Sequence, residues 1–240
     1  MPGVSWKRAW SGRKSDGLVH QRAREVVRPT GGIVRGKFPS RKTGRMVHYE
    51  GLLELDAIYL FETSPLVESY GEQPSTILYP DGGRLRRYTP DFILKLRGGC
   101  QVLIEIKPSR SLLQAEIRHK FEQISAFFAR QGTVFLILTE QEIRLEPRLA
   151  NLKWLYHQAP PTIANPTKNR MAVWQLAALF PMTAHQATSA CSPLGTDPYS
   201  LLMAGYLTCD LSQAVIYDTQ LELNLESEHV WFCIAQRLGF

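Results

Sequence analysis

Between Gly98 and Thr139 the chain spells out one unit that leaves few folds open. A Gly98-Gly99 turn leads into Gln101-Val-Leu-Ile-Glu-Ile-Lys107, the stretch Ser111–Arg130 follows, and the apolar run Thr133–Thr139 closes it. Leu112, Ala115, Ile117, Phe121, Ile124 and Phe128 recur at helical spacing, so the middle stretch predicts one helix with a buried stripe. The final run has the length and composition of an interior strand. Together these make a β-α-β unit, with Pro108-Ser109 and Gln131-Gly132 marking its joints.

The residues before this unit extend it. Leu52–Thr63 carries apolar side chains on nearly every face, which predicts a largely buried helix ended by Ser64-Pro65. β-favouring pieces follow at Val67–Tyr70 and Thr76–Tyr79, then a turn at Asp81-Gly82-Gly83 and the run Arg87–Lys95, which pairs through Gly98-Gly99 with the next strand. The expected order is helix, three strands, helix, strand, an α/β sheet flanked by helices and ending near residue 140. Gln141–Gln158 reads as a connection, and the proline-rich Ala159–Pro166 as a domain boundary. Beyond it, helical patterns at Asn169–Phe180 and Asp197–Leu207 and alternating stretches at Ala214–Tyr217 and Gln220–Leu223 predict a small helical domain with a wing-like hairpin. The expected division is a basic arm over 1–45, an α/β domain over 46–158 and a C-terminal domain over 159–240.

Charge separates the ends. The formal net charge is +6, yet residues 1–45 hold 12 Lys/Arg and 2 acids, while the remainder carries 16 bases and 20 acids. A basic, Gly- and Ser-rich arm suits a polyanion, because each cation that meets a phosphate releases condensed counterion. No apolar run approaches the roughly 20 residues of a membrane helix, and the first residues lack the apolar stretch of a secretory signal, so a cytoplasmic location is expected. Cys100, Cys191, Cys209 and Cys233 form no C-x-x-C pair and the His show no ligand spacing, so zinc is not expected. Trp6, Trp10, Trp154 and Trp174 read as packing residues.

Four residues carry the chemistry. Asp91, in Thr89-Pro-Asp-Phe92, and Glu105-Ile-Lys107 would be brought to one sheet edge by hairpin pairing. Glu105 and Lys107, two apart on a strand, share a face. Paired carboxylates are hard ligands suited to Mg²⁺, and a neighbouring ammonium can orient an attacking water or neutralise charge developing on phosphate, the parts of metal-assisted phosphodiester hydrolysis. Glu54, between Leu53 and Leu55, is expected on the buried side of its helix and offers a third acid. Glu50, four residues earlier, competes with it, whereas Asp56 and Glu62 are expected to face water. An isolated Glu-x-Lys is ordinarily a solvated ion pair. Here the ordered context of strands and helices distinguishes it.

In this context the chain resembles the PD-(D/E)xK nucleases of restriction-endonuclease-like fold, and among them the TnsA-type endonuclease subunits of heteromeric bacterial transposases. The resemblance rests on Arg41-Lys-Thr-Gly-Arg45, Leu53-Glu-Leu55, Glu72-Gln-Pro74, Thr89-Pro-Asp-Phe92, Glu105-Ile-Lys-Pro108 and Asn151-Leu-Lys-Trp-Leu-Tyr156, in that order over about residues 40–157. It implies an αβββαβ core, with Glu54, Asp91, Glu105 and Lys107 at the catalytic positions and Mg²⁺, replaceable by Mn²⁺, at Glu54, Asp91 and Glu105. In some members the position of Glu105 is Gln. A weaker resemblance around Asp197–Leu207 implies the family's variable winged-helix-like domain. The implied role is cutting the 5′ ends of a transposon while a DDE transposase subunit (TnsB-type) acts on the 3′ ends. An AAA+ ATPase regulator (TnsC-type) is the other implied partner, and the implied location is the bacterial cytoplasm, at the nucleoid during transposition. A stand-alone restriction or repair nuclease and a non-catalytic DNA-binding or scaffolding subunit stay open as alternatives.

Overall fold

The computed structural model describes residues 34–161, 165–224 and 231–235, so most of the expected basic arm lies outside the described residues. Strands β1 (Arg35–Ser40) and β2 (Arg45–Glu50) form an antiparallel hairpin that leads into helix α1 (Leu52–Thr63). Next come β3 (Val67–Glu72), the paired strands β4 (Ile77–Asp81) and β5 (Arg84–Tyr88), then β6 (Phe92–Leu96) and β7 (Gln101–Ile106). A single turn, α2 (Ser109–Leu112), precedes α3 (Ala115–Arg130), and β8 (Val134–Leu138) follows. The main sheet has the order β3-β6-β7-β8, antiparallel except for β8, which runs parallel to β7. The expected succession of helix, three strands, helix and strand is thus present as α1, β3, β6, β7, α3 and β8.

Period-two alternation sorts the side chains between two layers. Phe92, Leu94, Leu96, Val102, Ile104 and Ile106 share one core with Ala57, Ile58, Leu60 and Phe61 of α1. On the opposite face Leu103, Phe135 and Ile137 meet Phe121, Ile124 and Phe128 of α3, together with Tyr79 and Tyr88. Among the described residues β8 is an edge strand rather than the interior strand its composition suggests. Its apolar run reflects burial of both faces, Leu136 and Val134 on one side and Phe135 and Ile137 on the other, not a neighbour along both edges. The expected single helix over 111–130 is broken at Leu113-Gln114, where Gln114 is extended, and Ala115 lies outside the buried stripe.

The run Arg87–Lys95 also divides. Pro90 has no amide hydrogen to offer a ladder, and the chain leaves β5 at Tyr88 and enters the main sheet only at Phe92. The ribbon β4–β5 consequently forms a separate two-stranded sheet, inserted in the sequence between β3 and β6, which pair with each other.

Two expectations about α1 are overturned. Asp56 and Glu62 are buried, not solvated. Asp56 accepts from Arg144 Nε at 2.7 Å and Lys153 Nζ at 2.6 Å, both supplied by the region expected to be a mere connection. That region holds α4 (Glu140–Ile143) and α5 (Arg148–Gln158), whose Leu149, Leu152, Leu155 and Tyr156 pack into the core at helical spacing. Glu62 accepts from Ser40 Oγ at 2.8 Å, Tyr70 Oη at 2.6 Å and the Arg41 amide at 2.7 Å. Removing one member of such a buried charged network typically costs about 3–5 kcal/mol. The same turn carries Lys42, which donates to the carbonyls of Phe61, Ser64 and Val67, and Arg45, which grips Glu72 at 2.6 and 2.9 Å. Residues 35–45, counted in the sequence with the basic arm, are therefore folded, and three of their cations, Arg41, Lys42 and Arg45, are spent internally.

In the C-terminal part α6 (Pro166–Leu176), β9 (Met182–Thr183), α7 (Ala184–Cys191), α8 (Pro198–Met203), β10 (Leu207–Thr208) and β11 (Gln220–Leu223) follow in order. The expected hairpin between Ala214–Tyr217 and Gln220–Leu223 does not form. β11 pairs instead with β10 and β9, and the backbone before it is claimed elsewhere. The Val215 amide donates to Asn151 Oδ1 at 2.8 Å, and the Tyr217 carbonyl accepts from the His185 amide at 2.9 Å. Helix α7, which the sequence pattern did not suggest, is fixed by a Thr183/Gln186 capping box. Trp154 packs edge-on against Tyr199 as expected, but Trp174 is 81% exposed because α6 buries Asn169, Ala172 and Leu176 on its other side. Trp6 and Trp10 lie outside the described residues. No helix among the described residues is long and apolar enough to cross a membrane.

Candidate active site

The β6–β7 register assembles the site. Phe92 pairs with Ile104, so one further step sets Asp91 alongside Glu105. Asp91 is fixed twice: its Oδ2 accepts from the Ile106 amide at 2.8 Å, and its carbonyl accepts from the Gln73 amide at 2.7 Å. The Lys107 amide donates to the Leu138 carbonyl at 3.1 Å, carrying the β7–β8 ladder one residue past β7. Lys107 thereby stays on the Glu105 face, with Nζ 2.9 Å from Glu105 Oε1. Glu105, 3% exposed, receives its second contact from the Tyr88 hydroxyl at 2.6 Å to Oε2. Glu54 sits in the first turn of α1, where its Oε2 accepts from the Glu50 amide at 2.8 Å.

The electrostatics tie these groups into one cluster. The Asp91 carboxyl is held well above the usual carboxylate range, first by burial and then by the charges of Glu105 and Glu54, against which Lys107 and the Ile106 amide act. Burial likewise raises Glu54, helped by the charges of Glu50 and Glu105. Burial alone would lower the Lys107 ammonium, but Glu105, Asp91 and Glu54 more than offset it and its pKa rises. The structure thus brings Asp91, Glu105 and Lys107 into direct succession and puts Glu54 within their field. Glu50 enters through its backbone amide, which caps Glu54, and through its charge on Glu54.

Three carboxylates against one ammonium leave a surplus of negative charge in a partly dry place. A divalent cation would relieve it, and the hard oxygen donors suit magnesium or manganese. Among the described residues no group of three His, Cys, Asp or Glu side chains is arranged to hold a metal ion. Magnesium does not need such a cage, because one or two carboxylates with water and phosphate oxygens suffice. Asp91 and Glu105 fit that requirement, and Glu54 would join directly or through water.

Three supporting residues escaped the sequence pattern. Tyr88 anchors Glu105, and reading Arg87–Lys95 as one strand concealed that the chain turns after it. Gln73 is the one non-glycine residue with positive φ, 48°, among the described residues, and its amide supports the Asp91 backbone. Such a conformation costs about 1–3 kcal/mol and gathers at functional sites. Its place in Glu72-Gln73-Pro74 was the available signal. Glu140, at the start of α4, accepts from the Ser109 amide at 2.8 Å and from its hydroxyl, which fixes the backbone just past Lys107.

Residues 64–140 match the family model described as TnsA-like endonuclease N terminal. The matched segment contains Asp91, Glu105 and Lys107 and begins after Glu54. A search of curated proteins found no match.

Proposed function

We propose that this chain, whose residues 64–140 match the TnsA-like endonuclease N-terminal model, is the DNA-cutting subunit of a heteromeric transposase, hydrolysing the phosphodiester at the 5′ ends of a transposon in cut-and-paste transposition. The observation that carries this reading is the juxtaposition, inside the matched segment, of Asp91 with Glu105 and of Glu105 Oε1 with Lys107 Nζ at 2.9 Å.

In this reading Asp91 and Glu105, with Glu54 directly or through water, would hold Mg²⁺ or Mn²⁺, and the ion, when bound, would supply Lewis-acid polarisation of the phosphate and a water of lowered pKa. Lys107 orients the attacking water or offsets charge growing on the phosphate oxygens, where one positioned contact contributes about 10²–10³ in rate. Glu105 aims Lys107, Tyr88 anchors Glu105, and the Ile106 amide leaves the second Asp91 oxygen available. The C-terminal helices and small sheet are read as the family's winged-helix-like domain, the part through which a DDE transposase subunit or an AAA+ ATPase regulator would dock.

Reconstitution with the partner transposase and mapping of cuts on both strands tests the reading. Asp91→Ala should remove 5′ cuts and leave 3′ cuts and joining in place, giving a product still attached to donor DNA. Normal 5′ cutting by Asp91→Ala would refute the nuclease role. Efficient cutting of plain DNA by the wild-type chain alone would replace it with a stand-alone nuclease.

A further inference from the structure

The β4–β5 ribbon occupies residues 77–88, outside the main sheet yet one short link from Asp91. Its two faces differ. Ile77/Tyr88, Tyr79/Arg86 and Asp81/Arg84 are paired on one face, Leu78/Arg87 and Pro80/Leu85 on the other. The first face is anchored: Tyr79 and Tyr88 are buried against Phe121, Ile124 and Phe128, and Asp81 binds Arg86 at 2.5 Å and His119 at 3.0 Å. The second face is bare, with Leu78 55% and Leu85 69% exposed beside exposed Pro80 and Arg87. Arg84 is exposed at the tip, and neither it nor Arg87 makes an ion pair with another described residue.

We propose that this outer face, with Arg87 on it and Arg84 at the tip of the ribbon, enters a groove of the duplex beside the phosphate to be cut, the arginines on backbone phosphates and Leu85 against base edges. The assignment rests on the nuclease reading and adds the element that grips the substrate. Dimensions fit: two strands lie about 4.8 Å apart, and a groove about 12 Å wide admits a two-stranded ribbon. Along β5, Arg84 lies four residues from Tyr88, about 14 Å at 3.4 Å per residue, or about four base-pair steps. Charge selects nucleic acid over a protein surface, since the one acid of the ribbon, Asp81, is already held by Arg86 and His119. Continuity selects this place on the DNA, because β5 ends at Tyr88, whose hydroxyl is bonded to Glu105.

The test is equilibrium binding of a fluorescein-labelled duplex of mixed sequence by the full chain in EDTA, over a range of salt, with hydroxyl-radical footprinting of the same complexes. Replacing both arginines (Arg84→Ser with Arg87→Ser) should weaken binding about tenfold or more. It should also lower the slope of log affinity against log salt by about 2. Lysine at both positions should restore the slope. Leu85→Ser should weaken binding at unchanged slope, and both it and the serine pair should shorten the protected length of duplex by about four base pairs. Wild-type affinity, slope and footprint in the serine pair, with cleavage retained, would overturn the assignment and leave the nuclease reading standing. A wild-type chain that binds no duplex at any salt would remove both.

Discussion

Asp91→Asn should make the protein more stable while abolishing cleavage. The substitution keeps shape, and the new carbonyl oxygen can still accept from the Ile106 amide, now at 2.8 Å from Asp91 Oδ2. It removes one of three clustered carboxylates that face a single ammonium, Lys107. Relief of this kind contributes about 0.5–2 kcal/mol, and at this chain length each kcal/mol moves Tm by about 2–4 °C. The expected rise in EDTA at about pH 8 is therefore about 1–8 °C. The pH dependence has a definite sign. Because the folded-state pKa of Asp91 is raised, the native protein holds a proton where the unfolded chain has lost it. The penalty is absent below the ordinary carboxyl pKa, grows as pH rises from there to the folded value and is complete above it, so the gap between variant and wild type narrows on acidification. Magnesium at ten times its Kd should add about 1.4 kcal/mol to the wild type and nothing comparable to the variant. Thermal unfolding followed by fluorescence, with EDTA or magnesium at several pH values, reads all three effects. A variant less stable than wild type in EDTA, or an equal magnesium shift in both, would refute the reasoning.

Lys107→Ala should lower cleavage by about 10²–10³ with DNA affinity nearly unchanged, read as single-turnover rate against binding; an equal loss in both would assign Lys107 to binding. Tyr88→Phe deletes the hydroxyl 2.6 Å from Glu105, and the expected outcome is a fall of about 10–100-fold in metal affinity or rate, measured by metal titration of cleavage. Deleting residues 1–33, which hold seven Lys/Arg, should reduce the salt dependence of DNA binding while catalysis on saturating DNA persists. An unchanged salt slope after that truncation would mean the arm serves something other than DNA.

The sheet and the edge that carries Asp91, Glu105 and Lys107 were legible because alternation and turn chemistry are local. Gly98-Gly99, the β7 pattern and the α3 stripe suffice to align Asp91 with Glu105, and strand periodicity alone puts Lys107 on the Glu105 face. What escaped notice depends on distant partners. Asp56 and Glu62 look like surface acids until Arg144, Lys153, Ser40 and Tyr70 are brought to them across the fold. The Ala214–Tyr217 stretch alternates like a strand, but Asn151, more than sixty residues away, takes its Val215 amide. The edge position of β8 is equally invisible, since burial of two faces and pairing of two edges leave the same apolar run. Tyr88 was hidden by a proline break whose consequence, a separate ribbon, is tertiary.

The most direct test of the central claim is anomalous diffraction from a crystal soaked in Mn²⁺. The expected result is one peak within bonding distance of Asp91 and Glu105 carboxylate oxygens, with Lys107 Nζ near the site but not coordinating, and loss of that peak in Asp91→Asn. A metal bound away from Asp91, or a peak that survives Asp91→Asn unchanged, would contradict the account.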